Sequence, residues 1–578
     1  MDYQNLIKQT LEAIKVPGVP IKVINQYYQN LGFYYYNIKN TTLPLNFYLK
    51  VNPPDFSTYR SIAALYSEKN DNIKRIFYTE KCLELNYDLN IAYDLAIFYT
   101  SSCMFHEAYA TYQTILSIDP KYTNAYNNQA DILCHLMNHK TAIQNYEKAL
   151  FLEPSRIDIY SNLLMTNYYI PSFSPTKRYE QSIKFESLLN VDPAEKLCIE
   201  KRVFGDKIKI GYLGYDFDKE KHPITCFVNH IFGRHTKRYD VYCYQVATGS
   251  SSVFHPKEND TLYTTNIPNV TTKNLSKLND KEIAIEIYND KIDILVELMH
   301  HTAGNRLKIL SYRPAPIQMS YCAFPGTTGL NDIDFKIVDN EIYSKRIQDV
   351  STEKLIAMPR GFHCYFPLYK IPEMGYIKHD TINLCCFNNT KKINPIMIEL
   401  WIHLLRRIPS AHLYLRYAQY SSTYLVEFYK QQFINIAKKL YVNLDISRVH
   451  FIGYDANYNN ILKLYHNMDI FLDTWPYNGT TVICEALNMA IPVVTLKGKG
   501  PQERMGASLL ASIGRSQWIA KSREEYIDIA VNLCRDKISL LKIRVALKNK
   551  IKKTILGDPD IFIQDYEKLL ADVIKNHN

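Results

Sequence analysis

The chain has no CxxC pair among its 12 cysteines, and Cys385-Cys386 sits inside an apolar run that reads as a buried strand. Reduced thiols in protein cores fit that distribution better than disulfides or a zinc site. No Asp/His pattern with metal-ligand spacing occurs, so no metal and no other cofactor is expected. No apolar run approaches the ~20 residues needed to cross a bilayer, and the opening Met1–Asn5 lacks the charged-then-apolar layout of a signal peptide. The expectation is a cytoplasmic protein, or a nuclear one, with no membrane partner. Lys/Arg blocks that could track a phosphate backbone are missing too. The densest cluster, Lys548 to Lys553, reads as a solvated helix face, so no nucleic-acid partner is expected. What remains is ordinary globular material: 47% hydrophobic and 22% charged residues leave little room for disorder. A length of 578 residues exceeds one core and implies two to four domains.

The first third repeats itself. Registered against itself it shows a period of 34: Pro120 returns as Pro154, Ala108 as Ala142, Tyr112 as Tyr146, Ala96 as Ala130 and Tyr126 as Tyr160. Small residues at 96 and 130 let paired helices approach, the tyrosines fill the next groove, and the prolines end the second helix of each unit. The spacing predicts helices over 125–136 and 140–152, an irregular unit over 56–88 and a capping helix from Ile157. Together these resemble tetratricopeptide repeats, drawn as residues 56–170, with a helical segment 1–55 ahead of them. Such arms bind extended peptides. Asp94, Asn128 and Asn162 fall at one position of successive units. They are either a ladder of amides for a peptide main chain or plain exposed polar residues.

From Lys207 short β-rich runs alternate with helical ones. Strands are expected over 208–213, 241–245, 292–298, 317–322 and 335–338, forming a lobe over 200–365. An irregular stretch, 361–380, carries Pro367 and Pro372. The alternation then restarts with strands over 382–387, 412–416, 449–452, 470–472 and 492–496. Helices are expected over 395–407, 422–440, 458–467 and 480–489. This second lobe is drawn as 380–560, with a C-terminal helix over 561–578. Alternation of this kind predicts parallel sheets with right-handed crossovers. Two such Rossmann-like sheets in series place a cleft at the carboxyl ends of their strands, as in the GT-B fold.

Four segments carry candidate chemistry. In Asp473–Thr481 a Gly followed by two Thr opens a helix, giving free amides and the Thr480 and Thr481 hydroxyls for a diphosphate; Glu485 lies one turn later, in reach of ribose hydroxyls. The same pattern also describes an ordinary N-capped helix. In Phe387–Pro395 a lysine, Lys392, follows a strand and can neutralise a leaving pyrophosphate, or can be a solvated loop tip. His222 follows the first strand of the first lobe and can orient or deprotonate a hydroxyl. Glu297 with His300, His301 and Thr302 follows strand 292–298; sequence neighbours rarely converge on one metal, so hydrogen bonding near acceptor or sugar is expected.

In this order, behind the repeats, these segments resemble the protein O-GlcNAc transferase and SPINDLY family. The matching stretches are KIDILVELMHHTAGNRL (291–307), RPAPIQMSYCAFPGTTGLNDIDFKIVD (313–339), FNNTKKINP (387–395), LDTWPYNGTTVICEALNMAIPVVTL (472–496) and GASLLASIG (506–514). The resemblance implies a metal-independent, inverting GT-B enzyme that transfers a sugar from a nucleotide donor to Ser or Thr of proteins. It implies an active-site histidine at His222, a pyrophosphate lysine at Lys392 with Asn389 beside it, a phosphate turn at Thr480 and Thr481, and a ribose acid at Glu485. The short 361–380 connection resembles the compact members of the family that lack a large inserted domain.

Departures from the family pattern are Val482 for a third Thr, His300 for a Gly, Ala323-Phe324 for Gly-Tyr, and Ile461 for a His in the base loop. UDP-GlcNAc is the expected donor. GDP-fucose is the alternative, since Glu297-Leu298, the FNN stretch and Glu485 sit closer to SPINDLY. The rivals are a catalytically decayed repeat scaffold and a glycogen- or lipid-sugar transferase. The oligomeric state stays open, a homodimer included.

Overall fold

The computed structural model describes residues 2–197, 204–214, 223–246, 269–367, 371–372, 380–455 and 457–577. It divides into two compact units, Met1–Ile132 and Leu133–Asn578.

The first unit is helical. Helices Tyr3–Ala13, Ile21–Asn37 and Leu43–Tyr48 precede the pairs Phe56–Glu68 with Asn72–Leu85 and Leu89–Ser101 with Phe105–Ile118. Asp55, Asp71 and Asp88 cap three of these helices through their side chains. Ala96, Ala108 and Tyr112 are fully buried, as the 34-residue register requires of groove positions. Helix Thr123–His135 crosses the boundary into the second unit.

In the second unit the repeat pattern runs further than expected. Helix His139–Leu152 is followed by Ile157–Asn167, and Ile157–Asn167 is not the last: Ser174 caps a further helix, Pro175–Leu189, that packs against it. Apolar spacing in Pro175–Leu189 is diluted by five charged residues, which hid it from the register.

Two parallel sheets follow. The first holds β1 (Ile208–Gly214), β2 (Tyr239–Gln245), β3 (Val270–Asn274), β4 (Ile294–Glu297), β5 (Ile317–Ser320), β6 (Phe335–Asp339) and β7 (Lys354–Met358), in the order β3-β2-β1-β4-β5-β6-β7. The second holds β8 (Ile382–Cys386), β9 (Ala411–Arg416), β10 (Val449–Ile452), β11 (Ile470–Leu472), β12 (Val493–Leu496) and β13 (Ile519–Ala520), in the order β10-β9-β8-β11-β12-β13. Every residue of β4 and of β8 is buried, because helices cover both sheet faces. This is the GT-B pairing of two Rossmann-like sheets.

The last helix, Pro559–His577, falls where a C-terminal helix was expected over 561–578. It returns to the first lobe, where Phe562, Tyr566 and Leu570 join Tyr212 and Phe232 in one buried cluster. Glu567 accepts bonds there from the Thr236 amide (2.7 Å) and His235 Nδ1 (3.0 Å). Among the described residues no helix is long and apolar enough to cross a membrane.

Candidate active site

Strand order reverses between β8 and β11, with β9 and β10 on one side and β12 and β13 on the other. Loops leaving two strands at such a point diverge and leave a crevice at their carboxyl ends. The two loops are those of Lys392 and of Thr480. They border a cavity of about 410 Å³, whose walls include Asn388, Asn389, Lys392, Tyr477, Thr480, Thr481, Val482 and Glu485. Arg416 and Tyr417 close it at the end of β9, with Tyr458 beside them. The first lobe contributes Pro223, Cys226, Thr302 and Tyr365, and the end of the repeats contributes Tyr169. A cavity of that volume falls in the range of small-molecule sites.

The end of the cavity bordered by Lys392 and Thr480 is built around a residue to which the sequence assigned no role. Asp473 is fully buried at the end of β11, and its Oδ1 accepts from the Thr474 amide (2.8 Å) and the Gly479 amide (2.7 Å). Its Oδ2 accepts from Thr495 Oγ1 (2.6 Å). Burial raises its pKa to about 6 despite these bonds and the nearby Lys392. Asp473 thus folds the chain back so that helix Thr481–Asn488 begins at the cavity wall. The first intrahelical bond is that of Cys484 to the Thr480 carbonyl, which leaves the amides of 481–483 ahead of the helical ladder.

Lys392 faces this helix start. Its Nζ donates to the Asn478 carbonyl (2.9 Å) and Asn388 Oδ1 (3.3 Å) and lies 4.7 Å from the centre of the Tyr477 ring. Burial lowers its pKa to about 8, with Asp473 opposing the shift. Asn389 caps the turn at the Lys391 amide and reaches Tyr417 OH (3.2 Å). At the far end, Glu485 accepts from the hydroxyls of Tyr458 and Tyr465, and burial raises its pKa. An anion fits at Lys392 and the helix start, while vicinal hydroxyls fit at the carboxylate.

Of the expected site residues, Lys392, Asn389, Thr480, Thr481 and Glu485 share this cavity. His222 lies outside the described residues; the next residue in the chain, Pro223, is on the cavity wall. Glu297 and His301 are not on that wall. Glu297 accepts from the amides of Met299 (2.6 Å) and His300 (2.7 Å), shaping the turn in which His300 takes a left-handed φ of 55°. Burial lifts its carboxyl to about 7. His301 bridges Thr328 O (2.9 Å) and Ser161 Oγ (3.2 Å), tying the last repeat to the first lobe. From that loop it is Thr302 that reaches the cavity.

In the repeats, Asn128 Nδ2 donates to Tyr93 OH (3.0 Å) and Tyr112 OH (3.2 Å), so part of its capacity is already used within the unit. Asp94 and Asn162 are exposed. Among the described residues no group of three His, Cys, Asp or Glu side chains is placed to hold a metal ion. The sequence reading missed Tyr169, Tyr458, Asp473 and Arg416; only Asp473 and Arg416 had a signal, each standing at or just past the carboxyl end of an expected strand.

The model of glycosyl transferase family 41 matches residues 189–366 and 368–566. A relative in Oryza sativa subsp. japonica, named probable UDP-N-acetylglucosamine–peptide N-acetylglucosaminyltransferase SPINDLY, is 28% identical over 443 residues, 75% of this chain and 46% of that one. The UDP-N-acetylglucosamine–peptide N-acetylglucosaminyltransferase of Caenorhabditis elegans is 22% identical over 493 residues, 64% of this chain and 41% of that one. The chain therefore spans less than half the length of these relatives. A solved lysine-to-methionine variant of Thermobaculum terrenum O-GlcNAc transferase superposes with a TM-score of 0.76 at 23% identity, over 90% of this chain and 98% of that one, a likeness of fold.

Proposed function

Because the chain belongs to glycosyl transferase family 41, we propose that it transfers N-acetylglucosamine from UDP-GlcNAc to Ser or Thr of proteins, with inversion and without a metal. The observation that carries this reading is the convergence of Lys392, the helix start at Thr480 and Thr481, and Glu485 on one cavity.

In this reading the donor diphosphate lies between the Lys392 ammonium and the amides of helix Thr481–Asn488, with ribose hydroxyls on Glu485 and Asn389 beside the phosphates. The acceptor oxygen attacks the anomeric carbon from the face opposite the diphosphate. As that C–O bond forms, the bond to the β-phosphate breaks, and its electron pair leaves on an oxygen already facing positive charge. A buried ammonium with a pKa of about 8 regains its full charge as the dianion arrives, so positive charge is supplied without a metal. His222, by its family position, orients the acceptor hydroxyl or relays its proton. Protein substrates are bound by the repeats, where Asp94, Asn128 and Asn162 offer main-chain contacts, and the setting is cytoplasmic or nuclear.

The names carried by the relatives support UDP-GlcNAc. Glu297-Leu298, the FNN stretch at 387–389 and Glu485, which sit closer to SPINDLY, favour examining GDP-fucose beside it. Calorimetric titration with UDP and with GDP, on wild type and on Lys392→Ala, tests the proposal. UDP binding weakened on the order of a hundredfold in the variant is expected, with transfer falling at least as far. A preference for GDP would move the assignment to fucosyl transfer. Binding of neither nucleotide would leave a repeat scaffold.

A further inference from the structure

We infer that the last two helical repeats are a working part of the donor site, and that His139 is a positioning residue for Lys392. The inference rests on the reading of Lys392 as the group that grips the departing diphosphate.

Lys392 stands on a single turn of 3-10 helix, Thr390–Lys392, too short to hold itself in place. Its two preceding residues are held by the repeats. His135 Nδ1 is 2.6 Å from Thr390 Oγ1, and His139 Nε2 is 3.1 Å from the Lys391 carbonyl. A carbonyl only accepts, so His139 carries its proton on Nε2 and donates. Burial holds its pKa down at about 4, so it stays a neutral donor across the physiological range. Tyr429 OH closes the joint, within 3.1 Å of the His135 carbonyl and 3.0 Å of the Thr390 carbonyl.

A second route joins the same helices to the ammonium. Tyr169 packs its ring 5.2 Å from that of Tyr477, and Lys392 Nζ lies over the other ring's centre at 4.7 Å. Tyr169 is also a wall of the cavity, and its ring stands 6.0 Å from that of His139. The backbone beneath Lys392 and the aromatic ring beside its ammonium are therefore both set by residues from 135 to 169. Meanwhile Ser161 and Tyr168 anchor the last of these repeats to His301 and Phe324 of the first lobe. A long lysine side chain loses its aim when its Cα shifts, and misplacement of a reacting partner by about 1 Å can cost on the order of a hundredfold in rate.

The test measures transfer from UDP-GlcNAc and GDP-fucose in the full chain, per titrated active site, for His139→Leu, His139→Gln and Tyr169→Leu beside wild type and Lys392→Ala. For His139→Leu, kcat is expected to fall on the order of tenfold or more, with the donor KM changing less than about threefold. His139→Gln keeps a donor at nearly the reach of Nε2 and should recover to within about threefold of wild type. A histidine that only supported the fold would lower yield and melting point, leave kcat per site unchanged, and gain nothing from glutamine. Either unchanged kcat or failed rescue overturns the inference. If His139→Leu does not fold, Tyr169→Leu, cut at the cavity wall, decides it: a tenfold fall supports the inference and wild-type kcat ends it. Lys392→Ala separates the two readings. If it matches wild type, the assignment of Lys392 fails; if it alone loses turnover, only the role of these repeats fails.

Discussion

At the scale of single residues, charge is set by burial more than by residue type. Lys392 titrates near 8 because its surroundings exclude water, and the carboxylate of Asp473 recovers only part of the loss. The sign of the consequence follows: the ammonium is present below about pH 8 and lost above it, and only the ammonium attracts a diphosphate. UDP affinity of the free protein should be flat from pH 6.5 to 7.5 and then weaken, approaching tenfold per pH unit well above about 8. Lys392→Ala should remove that limb. Calorimetry across this range checks it, and a wild-type profile flat to pH 9.5 would show that the anion is held elsewhere. The position of Lys392 after a strand and before a helix was legible in the sequence. Its altered basicity was not, because burial is a property of packing.

At the scale of elements, the turn from Asp473 to Thr480 works only with a hydrogen at Gly479. A Cβ there would lie 2.8 Å from Val482 Cγ2, 3.0 Å from Asn388 Oδ1 and 3.2 Å from Asp473 Oδ1. Gly479→Ala should therefore cost about 1–3 kcal/mol of stability by overpacking and weaken UDP binding on the order of tenfold or more, since the helix start must shift. Gly205→Ala, with nothing within 4 Å, is the control and should leave both unchanged. Thermal melts with and without UDP read both effects; equal melts for the two variants would show a turn more tolerant than its contacts imply. Buried strands such as β4 and β8 were readable as apolar runs. The strands β3, β7 and β13 were not, because in β3 every side chain is at least partly exposed, β7 is only partly buried and β13 is two residues long.

At the scale of the molecule, helix Pro559–His577 belongs to the lobe that begins some 350 residues earlier, as the ion pair of Arg360 with Asp565 (2.7 Å) also shows. Ending the chain after Asp558 would expose the first-lobe surface under Phe562, Tyr566, Leu570 and Ile574. At about 1.5–3 kcal/mol for each buried apolar side chain, the loss rivals the roughly 5–15 kcal/mol that holds a typical fold. The shortened chain is expected to aggregate on expression. A soluble truncated chain with native circular dichroism and unchanged UDP affinity would contradict this account of the helix.

The sequence by itself determined the repeat register, the two strand-helix alternations and the order of the Lys392 and Thr480 segments. Periodicity, capping and turn chemistry act over a few residues and so are written locally. Only the tertiary structure decided that Lys392, Tyr458, Glu485 and Tyr169 line one cavity while Glu297 and His301 turn into the protein. Which side chains meet depends on where strand order reverses and on which helices cover the result. Those choices are made by the burial of whole sheet faces, not by any stretch of chain alone.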